Sequence, residues 1–214
     1  MPSTKSKRFA LAGLVVVMAA AGGTLLSIGR DRPATRLAAS SQHPTQIPTS
    51  TSAPNPPTDE LVEFRGEQAG FTLRYPGAWA RPTSRDPEVV FVAAEHDPAR
   101  NLGGSILVRA TPLPNEISRA QLAEVRRATD EIVAAAPDVE VKAQPAETEV
   151  AGLPGWYYLY TFRDPVSGQR GAHSHYFLFR GRTMLSVVLQ ALPQDDFGRL
   201  APLFDRIVGS LRVL

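Results

Sequence analysis

The chain has 214 residues, 43% of them hydrophobic and 7% aromatic, with a formal net charge of +2 and no cysteine. That composition suits one or two globular domains with a sizeable core, and the missing cysteine excludes disulfides, thiolate zinc sites, cysteine nucleophiles and a lipid-modified cysteine. The basicity is local: Lys5, Lys7, Arg8, Arg30, Arg32 and Arg36 precede residue 37, and the remaining 17 basic and 20 acidic residues leave the rest of the chain at −3. A nucleic-acid-binding domain gathers Lys and Arg on one folded face, so this distribution argues against one.

Four segments follow from composition. Residues 1–8 form a basic N-terminus expected on the cytoplasmic side. Residues 9–29 read FALAGLVVVMAAAGGTLLSIG without a charge. At about 1.5 Å per residue this run crosses a hydrocarbon core of roughly 30 Å, and the preceding positive charges set its orientation. It is read as a transmembrane signal anchor. Cleavage after Ala19-Ala20-Ala21 is the alternative, but the apolar run continues through Leu25, Leu26 and Ile28 and favours the anchor. Residues 30–59 carry Pro33, Pro44, Pro48, Pro54, Pro56 and Pro57 among many Ser and Thr, with no charge from Leu37 to Thr58. Such a stretch buries too little apolar surface to offset its ordering entropy and reads as a disordered, extended linker. Residues 60–214 are the folded domain.

Within that domain Leu61–Phe64 suits a short edge strand. Phe71, Leu73 and Tyr75 alternate with Thr72 and Arg74, a strand with one buried face, and Pro76-Gly77 turns it. Val89–Ala93 and Ser105–Ala110 are the next strands, joined by a loop that carries Glu95, His96, Asp97 and the Gly103-Gly104 pair. Ser118 and Gln121 have capping-box spacing. Leu122, Val125, Thr129, Ile132 and Ala136 then recur at helical spacing, with Arg126–Asp130 and Arg127–Glu131 pairs on the polar side, until Pro137. Val139–Ala143 and Thr148–Ala151 are strand-like, and Gly152-Leu153-Pro154-Gly155 reads as a turn. From Trp156 to Gln190 three strands are apolar in both phases, cut by a hairpin loop at Asp164–Gly168 and a tight turn at Arg180-Gly181. Continuous apolar runs mean that both sheet faces are covered. A last helix opens at Asp195-Asp196, and Phe197, Leu200, Leu203, Phe204, Ile207 and Leu211 form its stripe. The fold class expected is α+β: an antiparallel sheet of about 6–7 strands with helices on both faces.

No catalytic or cofactor motif emerges, so no enzyme and no cofactor is expected. His173 and His175 point to the same side of a strand, about 6.5–7 Å apart. They are the only metal-ligand candidates, and a metal needs a third group from outside the strand, such as Glu95, His96 or Asp97. A polar strand end that continues toward the hairpin loop is the simpler reading of the pair. Ser174 faces away from both histidines and lacks a nucleophile elbow. Trp79, His96, Arg180 and Arg182 are the candidates for partner contact. For Trp79 the competing role is a core plug, and for the arginines it is ordinary hairpin charge.

The residues assembled resemble a known family. A strand running Phe71…Tyr75-Pro76 with Trp79 opens the domain, and a long helix follows a strand pair. The Gly152/Gly155 turn, the aromatic strand, the meander around Gly181 and a final helix ending in Gly209-Ser210-Leu211 complete the order. This resembles the PsbP-like α/β/α sandwich of photosystem II extrinsic proteins, a Ran-binding nuclear-import factor and LpqN-type actinobacterial lipoproteins. The resemblance implies a non-enzymatic accessory domain that engages a protein partner or small ligand. It assigns no site residue. Together with the N-terminal segments it leads to the expectation of a single-pass membrane protein with its domain outside the cytoplasm. The alternative is a secreted small-ligand or metal carrier. With no cysteine for lipidation, membrane attachment falls to residues 9–29.

Overall fold

The computed structural model describes residues 60–95 and 103–214. The expected N-terminus, anchor and linker of residues 1–59 lie outside the described residues, as do His96 and Asp97. Among the described residues no helix is long and apolar enough to cross a membrane. In chain order the elements are β1 (Leu61–Gly66), β2 (Phe71–Pro76), β3 (Val89–Ala94), β4 (Gly103–Pro112), α1 (Leu122–Ala134), β5 (Glu140–Val141), β6 (Ala146–Val150), β7 (Leu153–Arg163), β8 (Arg170–Arg180), β9 (Thr183–Leu192), α2 (Phe197–Gly209) and β10 (Arg212–Val213).

Seven strands make one antiparallel sheet in the order β3-β4-β9-β8-β7-β5, with β6 also paired to β7. β1, β2 and β10 make a second, three-stranded sheet. The sequence pattern predicts a single antiparallel sheet. Instead β2 pairs with β1 and with the C-terminal β10, and its side chains pack on the large sheet from outside. Alternation alone tells which face of a strand is buried, and is silent on which sheet holds it.

Period-two alternation divides the large sheet cleanly. Trp156, Tyr158 and Tyr160 of β7, with Phe177 and Phe179 of β8, face α1 and pack on Leu122, Val125, Ile132 and Val133. The opposite face carries Ile106, Val108, Leu178, Leu185, Val187 and Leu189. It is covered by Leu200, Leu203, Phe204 and Ile207 of α2 and by Phe71, Leu73 and Tyr75 of β2. Both covers expected from the sequence are therefore present, with the small sheet sharing the second one. Each fully buried Leu, Ile or Phe contributes about 1.5–3 kcal/mol, so packing rather than propensity holds helices of this length in place.

Polar anchors fix α1 against β7. The Trp156 Nε1–H donates to the Leu122 carbonyl at 2.9 Å. The Tyr158 hydroxyl lies 2.6 Å from Thr129 Oγ1 and donates to Asp130 Oδ1 at 2.7 Å. The capping region differs from a continuous helix starting at Ser118. Arg119–Gln121 is a 3-10 turn, the Ser118 N–H donates to Gln121 Oε1 at 2.8 Å, and the α-helix begins at Leu122. α2 likewise follows a 3-10 turn, Gln194–Asp196. Asp196 makes no side-chain capping bond and pairs instead with Arg199 at 3.5 Å.

The hairpin between β6 and β7 is tighter than the sequence suggested. Its turn is Ala151-Gly152, both at positive φ (53° and 78°), and Leu153–Gly155 already belong to β7. Two positive φ values make the turn whose twist matches the flanking strands. Gly155 is in a strand for a packing reason: a Cβ there would lie 2.1 Å from the Phe177 carbonyl oxygen of β8.

Candidate functional site

The arginines and the tryptophan singled out from sequence all make contacts within the domain. Trp79 is buried among the residues under α2, and its indole abuts Gly104. Arg180 Nη1 donates to the Gly70 carbonyl at 2.5 Å and ties the small sheet to the large one. Arg182 Nη2 donates to the Pro114 carbonyl at 2.8 Å and holds the segment that crosses toward α1. Glu95 joins the β3–β4 loop to α2: its carboxylate accepts from Gly104 N at 3.0 Å and from Arg199 at 3.1 Å.

The histidines are not a solvated strand end. His175 is wholly buried and His173 half-buried, stacked with Phe177 and Phe162 at ring-centroid distances of 3.9 and 4.2 Å. All four of their ring nitrogens have partners. His173 Nδ1 lies 2.9 Å from the Tyr160 hydroxyl and Nε2 lies 2.9 Å from Gln190 Oε1. His175 Nδ1 lies 3.2 Å from the same hydroxyl and Nε2 lies 2.6 Å from Ser186 Oγ. Burial lowers His173 to about 4 against the pull of Gln190, and lowers His175 well below the ordinary histidine value, with His173 adding to the effect. Burial raises Tyr160. Among the described residues no group of three His, Cys, Asp or Glu is placed to hold a metal ion. Periodicity predicted the shared face of the two histidines. It gave no sign of Tyr160, Ser186 and Gln190 beside them, which the β7–β8–β9 register brings in from adjacent strands.

With both faces of the large sheet filled, its accessible main chain is at the edges. The β3 edge is partly closed: Ala80 bridges to Ala94, and Arg81 Nε donates to the Val92 carbonyl at 3.0 Å. The Arg81 guanidinium lies over Phe64, Tyr75 and Phe91, 4.4–5.4 Å from their ring centroids. At the opposite edge, among the described residues, β5 and β6 pair with β7 alone. Val141 opposes Tyr160 and Ala146 opposes Tyr157, so residues 142–145 bulge against Tyr158 and Leu159. The bulge walls an open groove of about 410 Å³ lined by Val141, Lys142, Ala143, Gln144 and Pro145. Proline suits such a bulge because it has no ladder bond to give.

The two-residue turn sets which groups of β6 face out. Val150 and Leu153 flank the turn as a hydrogen-bonded pair, so Glu149–Pro154 and Glu147–Trp156 are non-hydrogen-bonded pairs. The N–H and C=O groups of Glu147 and Glu149 therefore point away from the sheet, and Pro154 costs β7 no bond to β6. Charge surrounds this edge: Arg119 pairs with Glu149 and Lys142 with Glu140. The Lys142 ammonium, 2.7 Å away, holds the Glu140 carboxyl below its usual range. Two half-buried tyrosines, Tyr157 and Tyr176, stack 4.8 Å apart on the α2 side of β7 and β8.

No protein-family model matches the chain, and no curated protein matches it in sequence. Solved structures match by shape. LpqN, a Mycobacterium tuberculosis protein involved in cell envelope biogenesis, superposes with a TM-score of 0.53 at 13% identity, covering 73% of this chain and 87% of LpqN. Cyanobacterial PsbP from Synechocystis superposes with a TM-score of 0.51 at 15% identity, over 77% of this chain and 98% of that one. A Bacteroides thetaiotaomicron protein gives 0.50 at 12% identity over 71% of this chain. The match spans about half, 48%, of the Bacteroides chain. The described residues thus have a PsbP-like fold, as the order of their elements suggested.

Proposed function

We propose that the domain is a non-enzymatic accessory module of the cell envelope that captures an extended segment of a protein partner along β6. The observation that carries the reading is the outward main chain of Glu147 and Glu149, at an edge that pairs with nothing among the described residues while both sheet faces are filled. An added strand gains ladder hydrogen bonds from such an edge, and neighbouring recesses select its side chains. The groove at Val141–Pro145 and the exposed Val141 supply a recess at one end. The likeness to LpqN supports an envelope setting. The uncharged run of residues 9–29, with the proline-rich segment after it, supports a membrane anchor and a tether that presents the domain outside the cytoplasm.

Two experiments test this. Fractionation of cells with external protease should leave the full chain in the membrane and its domain accessible from outside; an intact chain in the cytosol overturns the location. Capture from detergent-solubilised envelope should be lost with Glu147→Pro, which removes an outward N–H and no internal ladder bond. Equal capture by the folded variant overturns the edge as the binding surface.

A further inference from the structure

Ser186, His175, Tyr160, His173 and Gln190 form an unbroken row on the α1 side of the sheet, and the row has a direction. The Tyr160 hydroxyl reaches Nδ1 of both histidines, at 2.9 and 3.2 Å. A phenol has one proton, so it donates to one ring and accepts from the other. Gln190 Oε1, 2.9 Å from His173 Nε2, accepts a proton from it. His173 Nδ1 then accepts from Tyr160, Tyr160 accepts from His175 Nδ1–H, and His175 Nε2 accepts from Ser186 Oγ, 2.6 Å away. Every donor meets one acceptor, with both rings neutral and in opposite tautomers. Reversing the whole row exchanges the tautomers and leaves them opposite.

We propose that this row is an acid-sensitive lock on the α1 face of the sheet, closed only around two neutral histidines and opened by one further proton. A proton on His173 Nδ1 would aim at Tyr160 Oη, which already accepts from His175, and would strip the Tyr160 proton of its acceptor. A proton on His175 Nε2 would turn the Ser186 hydroxyl from donor to acceptor and leave a charge with only neutral partners in a wholly buried ring. Tyr160 packs on the same cluster as α1, so the strain falls on the helix–sheet contact.

The surrounding charges do not compensate. On α1, Asp130 bonds to Tyr158 and Arg126 lies over Trp156. On β4, Arg109 lies beside Ser186 in register and pairs with Asp86 and Glu88. At the strand ends Asp164 is bound by Ser167, and Arg170 pairs with Glu140. The three described partners of the two imidazoles, Tyr160, Gln190 and Ser186, are all neutral side chains.

The folded-state values of both histidines lie below that of an unfolded histidine, about 6.5, so the unfolded chain binds more protons as pH falls. Stability is therefore fully present above about pH 6.5 and declines below it. Each locked histidine lowers the folded-to-unfolded ratio by up to about tenfold per pH unit, and for His173 the decline ends near pH 4.

Nitrogen-15 NMR of the imidazoles in the full chain at pH 7 tests the lock without a variant. The expected result is two neutral rings, one protonated at Nε2 and the other at Nδ1. Matching tautomers, or a charged ring at pH 7, overturn the proposal. Urea unfolding at pH 7 and pH 4.5 supplies the second arm. His173→Gln keeps an amide toward Gln190 and cannot titrate, so its loss of midpoint on acidification should be clearly smaller than that of the parent chain. Equal losses overturn the lock.

Discussion

Replacing Gly155 with alanine should destabilise the domain, although a glycine-to-alanine change in an ordinary strand gains roughly 0.5–1 kcal/mol through backbone entropy. The added Cβ would sit 2.1 Å from the Phe177 carbonyl oxygen and 3.0 Å from Leu178 Cδ2. The first is a backbone atom in the middle of the sheet, so relief requires β7 and β8 to part where Gly155 opposes Leu178. Overpacking of this kind costs about 1–3 kcal/mol, which outweighs the entropy gain. For a domain of this size each kcal/mol is worth about 2–4 °C in Tm. Trp79 and Trp156 lie in the two separate clusters and report the transition by fluorescence. Two control glycines carry the opposite logic. Gly198 lies in α2 with nothing within 4 Å, so Gly198→Ala should stabilise by about 0.5–1 kcal/mol. Gly168 is equally open but at φ 69°, so alanine there should cost about 1 kcal/mol through its backbone alone. A Gly155→Ala midpoint equal to or above the parent's would refute the β7–β8 register and return Gly155 to a turn.

Arg180→Ala removes a charged hydrogen bond to Gly70 that joins the two sheets, and should lower the urea unfolding free energy by about 1–3 kcal/mol. Tyr158→Phe leaves Thr129 and Asp130 without their shared partner, and should cost about 1–2 kcal/mol, with amide exchange in α1 accelerating more than in α2. Lys142→Ala should raise the NMR titration midpoint of Glu140 without a measurable change in the urea midpoint, because the pair is solvent-exposed.

The sequence announced what depends on local periodicity. The double-phase apolar runs of β7, β8 and β9 required two covers, and the stripes of α1 and α2 supply them. What it hid depends on pairing between distant segments. Leu61–Gly66 and Phe71–Pro76 look like any edge hairpin, and only the return of Arg212–Val213 makes them a separate sheet. Ala151 does not read as a turn residue because alanine seldom adopts positive φ, whereas Gly152 beside it does. The histidine row was half legible: two side chains on one face follow from spacing, but their neutral partners come from strands 11–17 residues away. Arg182 is exposed as hairpin charge should be, but its bond to the Pro114 carbonyl, like that of the half-buried Arg180 to Gly70, leaves no mark in composition. The β6 edge is similar. Its outward amides follow from the length of the turn rather than from the chemistry of Glu147 and Glu149.

The central claim is that β6 is the receiving edge, and amide hydrogen exchange at Glu147 and Glu149 measures it most directly. In the isolated chain both amides should exchange quickly while those of β7 and β8 are protected. On adding the partner captured from the envelope, the account predicts slowing at Glu147 and Glu149 together, with little change at Arg81 or in the Asp164–Gly168 loop. Protection that appears elsewhere and leaves those two amides fast would contradict it.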